Sequence, residues 1–161
     1  MKKDSLALAI VALAFLAGAF YFATQALAQR EVYLDGVRIL SDGDVQQGIR
    51  DALSGNPVVL EERVTAENST QNSGIAMMGT EIVYALATSG RETFVYAVVD
   101  DGTLIGCENA TLCANPRVII RPGECDCLQL TGGTMVIEGS PEFMYNASMV
   151  VRGLVNMALA G

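Results

Sequence analysis

The chain has 161 residues, of which 51% are hydrophobic and 17% are charged, with four cysteines and no histidine. Its length allows one domain of ordinary size, and its apolar content is too high for a disordered chain. The absence of histidine excludes Ser/His/Asp and Cys/His nucleophile pairs and every histidine-ligated metal site.

Residues 1–29 form a hydrophobic leader. The stretch from Ser5 to Gln29 carries no charge and is long enough to cross a bilayer as one helix. Lys2 and Lys3 precede it, which favours a cytoplasmic N-terminus. The leader therefore predicts export of the domain that follows, residues 30–161.

Two interpretations of the leader are open. Ala26, Leu27 and Ala28 form the small-x-small pattern that precedes a signal-peptide cleavage site, and cleavage after Ala28 would give a secreted protein. Without cleavage, residues 5–28 would anchor a single-pass protein in the cell membrane, with its C-terminal domain outside. The length of the apolar stretch, greater than the roughly 7 to 15 residues of a signal peptide, slightly favours the anchor.

The exported part is acidic. Without Lys2, Lys3 and Asp4, the chain keeps 8 basic residues, all arginine, and 17 acidic ones, for a net charge of −9. Such a domain repels nucleic acid and anionic lipid headgroups. We therefore expect no nucleic-acid partner. A protein partner or self-assembly is possible, and the membrane is contacted only through the leader.

Three two-residue turns predict β-hairpins: Asp35-Gly36, Asp101-Gly102 and Gly132-Gly133. Each pair can adopt the positive φ angles that a tight hairpin requires, and each is flanked by β-rich residues. Further strands are predicted from Val58 to Val64 and from Arg117 to Arg121. These patterns predict a mainly antiparallel sheet.

About three helices are predicted in the same domain. One spans Asp42 to Leu53, with Ser41 or Asp42 as its cap, and a second spans about Ser73 to Ser89. A third begins at Ser140, with a proline in its first turn. The predicted fold class is therefore α+β: an N-terminal hydrophobic helix, then one small domain.

The last helix carries methionines outside its apolar stripe. Met149 and Met157, together with Met144, give it an adaptable apolar surface. Such a surface docks a partner or lies on a bilayer. The alternative is a central helix, covered by the sheet on one side and by another helix on the other.

The four cysteines lie in a window of 21 residues, at Cys107, Cys113, Cys125 and Cys127. In an exported domain an even number of cysteines predicts disulfides. If Ile119 to Leu130 is a strand, Cys125 and Cys127 share a face and are unsuited to bond each other. We therefore expect each to pair with Cys107 or Cys113.

Two alternatives for the cysteines are a four-thiolate metal site and a redox-active Cys-x-Cys pair. The spacing C-x5-C-x11-C-x-C fits zinc knuckles poorly. Glu124 and Asp126 surround the pair with negative charge, which opposes the thiol acidification that redox chemistry uses. Structural disulfides are the favoured interpretation.

Two sequons are candidates for N-glycosylation in an exported domain, at Asn68 and Asn109. Both lie in polar, turn-rich stretches where a glycan can project. A third sequon, at Asn146, falls within the last predicted helix and is attributed to chance.

No catalytic residue, cofactor or metal site is predicted. The neighbouring carboxylates form three pairs, and each has a structural explanation: a helix cap for Asp42 and Asp44, a solvated strand end for Glu61 and Glu62, and a hairpin turn for Asp100 and Asp101.

The favoured hypothesis is a non-catalytic cell-envelope module, anchored or secreted, that acts through protein contacts in a surface assembly or membrane complex. One alternative is a thiol or metal-binding protein that uses the cysteine cluster. The other is a small secreted hydrolase or ligand-binding domain with a carboxylate-lined cleft.

Overall fold

The computed structural model describes residues 29–161, so the predicted leader lies outside the described residues. The strands are β1 (Arg30–Leu34), β2 (Val37–Ser41), β3 (Val58–Val64), β4 (Thr93–Val99), β5 (Leu104–Ile105), β6 (Val118–Pro122), β7 (Cys127–Thr131) and β8 (Thr134–Gly139). The helices are α1 (Val45–Ala52), α2 (Ser69–Thr88), α3 (Ala110–Cys113) and α4 (Pro141–Ala160). Across this part of the chain, no helix combines the length and apolar character that a membrane span needs.

The eight strands form one mixed sheet in the order β1-β2-β7-β8-β6-β3-β4-β5. Three pairs, β1/β2, β4/β5 and β7/β8, are the antiparallel hairpins predicted from the turns. At the first turn, Asp35 and Gly36 have φ angles of 46° and 84°, as a tight hairpin requires. The other four pairs are parallel, which the strand patterns did not indicate. The fold class α+β is confirmed, and the centre of the sheet, β8-β6-β3-β4, is parallel.

The long helices begin at side-chain caps. Asp44, rather than Ser41 or Asp42, caps α1 by accepting a hydrogen bond from the backbone N–H of Gln47 at 2.9 Å. Helix α2 begins at Ser69, four residues before the predicted start, because the preceding asparagine supplies its cap.

Helix α4 begins as predicted. The hydroxyl of Ser140 accepts a hydrogen bond from the backbone N–H of Phe143, and Pro141 stands at the first helical position. The single-turn helix α3 was not predicted, since four residues are too few to show helical periodicity.

Helices α1, α2 and α4 bury one face of the sheet, which we call the covered face. Helix α1 packs on β2, β7 and β8, α2 packs on β3, β4 and β6, and α4 packs on both helices. The core contains apolar side chains from every long helix and from five strands, among them Ile39, Ile49, Leu60, Ile75, Met78, Ile82, Ile120, Leu128, Met135, Ile137, Met144, Val151 and Val155.

The methionines of α4 divide between core and solvent. Met144 is fully buried, whereas Met149 and Met157 are 58% and 50% exposed. Arg152 joins α4 to α2, because its Nη1 donates to Oε2 of Glu81 at 2.9 Å and its guanidinium lies 4.2 Å from the ring centroid of Tyr84. Helix α4 is thus a packed part of the helical layer with an exposed outer surface.

Candidate functional site

The second face of the sheet, which we call the open face, is opposite the three long helices. Alternate residues of each strand point to it, and the strand register aligns them in rows. The middle row contains Glu31, Leu40, Gln129, Val136, Ile119, Glu61 and Tyr96. The adjacent row contains Tyr33, Arg38, Cys127, Glu138, Arg121, Arg63 and Val98.

Three of the four ion pairs within residues 29–161 lie on the open face. Arg38 Nε is 2.7 Å from Glu31 Oε1, and Arg63 Nε is 2.6 Å from Glu61 Oε1. In the third pair, two nitrogens of the same guanidinium group contact one oxygen: Nε and Nη2 of Arg121 lie 2.7 and 2.6 Å from Oε2 of Glu138. These pairs hold the arginine side chains in fixed positions on the sheet.

Glu61 is the most buried of these carboxylates, at 6% exposure. Its Oε2 lies 2.5 Å from the hydroxyl of Tyr96, and the same hydroxyl lies 2.8 Å from the carbonyl oxygen of Cys113. Burial and the neighbouring Glu61 carboxylate raise the pKa of Tyr96, so its hydroxyl keeps its one proton, which these two acceptors share. Tyr96 therefore ties the segment that contains Cys113 to the open face.

The next residue, Glu62, points to the covered face. It lies beneath α2 opposite Gly79, where a Cβ atom would collide with Oε1 of Glu62. Burial raises the pKa of the Glu62 carboxyl above its ordinary value, and Glu62 takes part in none of the ion pairs of the described residues. The interpretation of Glu61 and Glu62 as a solvated strand end is therefore wrong.

The disulfides join Cys107 to Cys113 and Cys125 to Cys127, with Cα atoms 6.3 and 5.2 Å apart. The expected pairing between the two segments is wrong, because Cys125 is not on a strand. Strand β6 ends at Pro122 and β7 begins at Cys127, and the intervening Asp126 has a φ of 47° that turns the chain back. Both disulfide-closed segments lie on the open face, one through Tyr96 and one through Cys127.

The disulfides use every cysteine of the chain. Within residues 29–161, no group of three or more histidine, cysteine, aspartate or glutamate side chains is arranged to hold a metal ion. In this oxidised state the thiolates of a metal site or a redox pair are not available.

A crevice of about 400 Å³ opens where β3, β4 and β6 end. Its walls include Arg63, Thr65, Val98, Arg121 and Pro122. The Oγ1 atom of Thr65 is the one buried side-chain polar atom of the described residues that has no hydrogen-bond partner. Ligands of open parallel sheets bind in crevices outside the carboxyl ends of strands, so this crevice is a candidate site.

The turn that carries Thr65 is fixed by the side chain of Asn72. Its Oδ1 accepts from the backbone N–H of Thr65 at 3.0 Å, and its Nδ2 donates to the carbonyl oxygen of Thr65 at 2.7 Å. Both backbone groups of Thr65 are therefore satisfied, and only its hydroxyl lacks a partner.

The predicted glycosylation residues are exposed helix caps. Asn68 Oδ1 accepts from the backbone N–H of Gln71 and caps α2, and Asn109 Oδ1 accepts from that of Thr111 and caps α3, both at 3.0 Å. Glycosylation at either residue stays a prediction. Asn146, the third sequon, is exposed on α4.

In the other two carboxylate pairs, three aspartates accept structural hydrogen bonds from backbone N–H groups. Asp42 Oδ2 accepts from the backbone N–H of Gly132 at 3.3 Å, and Asp44 caps α1. Asp101 Oδ1 accepts from the backbone N–H of Thr103 at 2.8 Å, which lowers the pKa of Asp101. These aspartates are not paired across a shared cleft, as a carboxylate hydrolase would need.

Sequence reasoning missed the residues that line the crevice. Arg63 and Arg121 stand at the ends of two predicted strands, and only the parallel pairing of β3 with β6 brings those ends together. Comparison with protein-family models, curated proteins and solved structures gives no significant match to this chain.

Proposed function

We propose that this domain is a non-catalytic, extracytoplasmic module that acts through protein contacts on its open face. One observation carries the proposal: α1 and α2 pack on one face of the sheet with α4 packed on both, and the middle row of the opposite face stays partly exposed over five strands, β1, β2, β7, β8 and β6.

The side chains of the open face suit a protein interface. A solvated sheet face is ordinarily polar. Here the middle row places the partly exposed Leu40, Val136 and Ile119 around Gln129. The ion pairs described above border this apolar centre. An apolar centre with a charged border is the usual composition of a protein contact surface.

The open face is also rigid. The disulfide between Cys107 and Cys113 closes a short segment, and Tyr96 bonds that segment to β4. The disulfide between Cys125 and Cys127 closes the turn before β7. A rigid surface loses little conformational entropy on binding. Stable disulfides also favour an oxidising compartment, in agreement with the predicted leader.

The other hypotheses receive less support. The thiol or metal alternative needs cysteine donors, and these are bonded to each other. The hydrolase alternative needs two carboxylates that line one cleft. Asp42, Asp44 and Asp101 bind backbone N–H groups, and Asp100 is the one carboxylate among the described residues that line the crevice.

A charge introduced at the centre of the open face tests the proposal. In the full-length protein expressed in its own host, Gln129→Arg is compared with Met157→Arg, whose site is an exposed position of α4. We expect Gln129→Arg to release the protein from its native complex on a non-denaturing gel and Met157→Arg to leave that complex intact. Thermal melts of both variants verify the fold. Retention of the complex by Gln129→Arg, or its loss in both variants, would contradict the proposal.

A further inference from the structure

The crevice at the carboxyl ends of β3, β4 and β6 has the position of a ligand site. The chain leaves β3 through α2 toward β4, whereas it leaves β6 toward β7 and β8 on the other side. Adjacent parallel strands whose connections diverge in this way leave a gap beyond their carboxyl ends. The gap here holds about 400 Å³, enough for a small organic molecule or the end of a peptide.

The walls of this crevice combine hydrogen-bond donors with an apolar surface. Val98, Val64 and Pro122 supply the apolar part. Arg63 and Arg121 supply donors, with side chains that are 47% and 38% exposed. Apolar walls with a few convergent polar groups are typical of small-ligand sites.

Both guanidinium groups have donors to spare. Arg63 uses Nε for Glu61, and its two terminal nitrogens make no hydrogen bond within the described residues. Arg121 uses Nε and Nη2 for Glu138, and its Nη1 makes no hydrogen bond within the described residues. Glu61 and Glu138, which do not line the crevice, hold the guanidinium groups in place, so a ligand does not have to order them.

The hydroxyl of Thr65 gives a second, independent indication. A buried hydroxyl without a partner is costly, and such groups call for an explanation. Thr65 lines the same crevice as the arginines. Because the Oγ1 atom is buried within the wall, a ligand oxygen would reach it and supply the missing partner only if the wall opens on binding.

The charges select the kind of anion. Carboxylates and phosphates both pair with arginine. However, Asp100 is exposed at the rim of the crevice, and Glu61 and Glu138 lie behind the arginines. Three acidic groups against two arginines leave a net charge of −1, which opposes every anion and opposes a doubly charged phosphate monoester about twice as strongly as a singly charged carboxylate. A carboxylate must therefore gain its binding from the free arginine N–H donors and the apolar wall.

We propose that the crevice binds an organic monocarboxylate, a carboxylate group attached to an apolar group, with Arg63 and Arg121 as its donors. The carboxylate belongs either to a free organic acid or to the C-terminus of a partner polypeptide. The site is one end of the open face, so this inference rests on the proposed function where the partner is a protein.

The test titrates isotope-labelled full-length protein in detergent micelles and follows its backbone amide signals. The probes are hexanoate, its uncharged analogue hexanamide, and a pentapeptide with an apolar last residue, prepared with a free or an amidated C-terminus. We expect the acids to shift signals of Thr65, Val98 and Arg121 and the amides to leave them unchanged. Tighter binding of the free pentapeptide than of hexanoate identifies a polypeptide C-terminus, and the reverse order identifies a small acid.

Variants assign the binding to the crevice. Arg63→Lys and Arg121→Lys keep the charge but remove the forked donor, and each should weaken hexanoate binding about tenfold. Thr65→Val removes the unpartnered hydroxyl without a change of shape. It should keep the fold and weaken binding. Arg91→Gln is the matched control, because Arg91 is exposed near the amino end of β4, away from the crevice.

Two results would overturn the carboxylate site. One is equal binding of acid and amide, or no shift with any probe at millimolar concentration. The other is unchanged hexanoate affinity in both arginine variants. Neither result affects the gel experiment on Gln129→Arg, so failure of this site and failure of the protein-contact function are distinguishable.

Discussion

The covered and open faces of the sheet are built from the same strands, yet they are stabilised in different ways. In β6, Ile120 is fully buried in the core and its neighbour Ile119 is partly exposed on the open face. The covered face relies on apolar packing with the helices. The open face relies on ion pairs, two disulfides and a tyrosine hydroxyl. The covered face buries most of the apolar core, whereas side chains of the open face stay partly exposed.

Two adjacent glutamates show how each face accommodates a buried carboxylate. Glu61, on the open face, is bonded to Arg63 and Tyr96. Glu62, on the covered face, lies beneath α2, where burial alone raises its carboxyl pKa. A buried carboxylate is tolerated where partners compensate for the loss of water, and it is destabilising where they do not.

The two isoleucines of β6 provide the largest expected difference between the faces. Ile120→Ala leaves a cavity in the core and should lower the free energy of unfolding by about 2 to 5 kcal/mol. Ile119→Ala should cost about 1 kcal/mol or less, since part of that side chain already contacts water. Chemical denaturation followed by circular dichroism measures both. Equal losses would show that the two faces are buried alike.

The disulfides should contribute an intermediate amount. In the chain-entropy view, replacing Cys107 and Cys113 by serine should cost about 2 kcal/mol, and replacing Cys125 and Cys127 somewhat less, because the second closed loop is shorter. Denaturation of each double variant gives these values. Peptide mapping of the unreduced protein tests the pairing itself, and a peptide that links Cys107 or Cys113 to Cys125 or Cys127 would refute it.

Glu62 makes stability depend on pH. Its pKa in the folded state is raised above the ordinary 4.5, so between these two values the folded protein binds more protons than the unfolded chain. The free energy of unfolding should therefore fall as pH rises through this window. Glu62→Gln should be more stable than the native protein at neutral pH, with no gain below pH 4.5.

The matched control for this prediction is Glu92→Gln, because Glu92 is exposed in the segment just before β4. Denaturation of the three proteins across the pH range provides the comparison. A constant difference between Glu62→Gln and the native protein at all pH values would contradict the assignment to Glu62.

The smallest expected effect belongs to Thr65. Thr65→Val removes a buried hydroxyl without a hydrogen-bond partner. The variant should gain about 1 kcal/mol of stability, which a thermal melt detects. A loss of similar size would mean that the hydroxyl already has a partner in solution, such as a bound water.

Local signals in the sequence predicted the elements but not their assembly. The Asp35-Gly36 turn predicted its hairpin, because positive φ at both positions suits few other residues. Ser140 and Pro141 predicted the start of α4 for the same local reason. The parallel pairing of β3 with β6 had no local signal. The alternation of apolar and polar residues along a strand does not specify which other strand pairs with it.

The candidate site was less accessible from the sequence than the fold. Arg63 and Arg121 are 58 positions apart in the numbering, and each resembles an ordinary strand-end charge. The disulfide between Cys125 and Cys127 was missed because the positive φ of Asp126 interrupts what reads as one strand. Both errors concern backbone geometry that a single sequence does not display.

The central claim, that the open face is the contact surface, is tested most directly by site-specific photo-crosslinking in the native host. A photoreactive residue replaces Gln129 on the open face in one full-length protein and Met157 on α4 in another. We predict a discrete crosslinked protein from position 129 and none from position 157. Equal crosslinking at both positions, or crosslinking at position 157 alone, would contradict the claim.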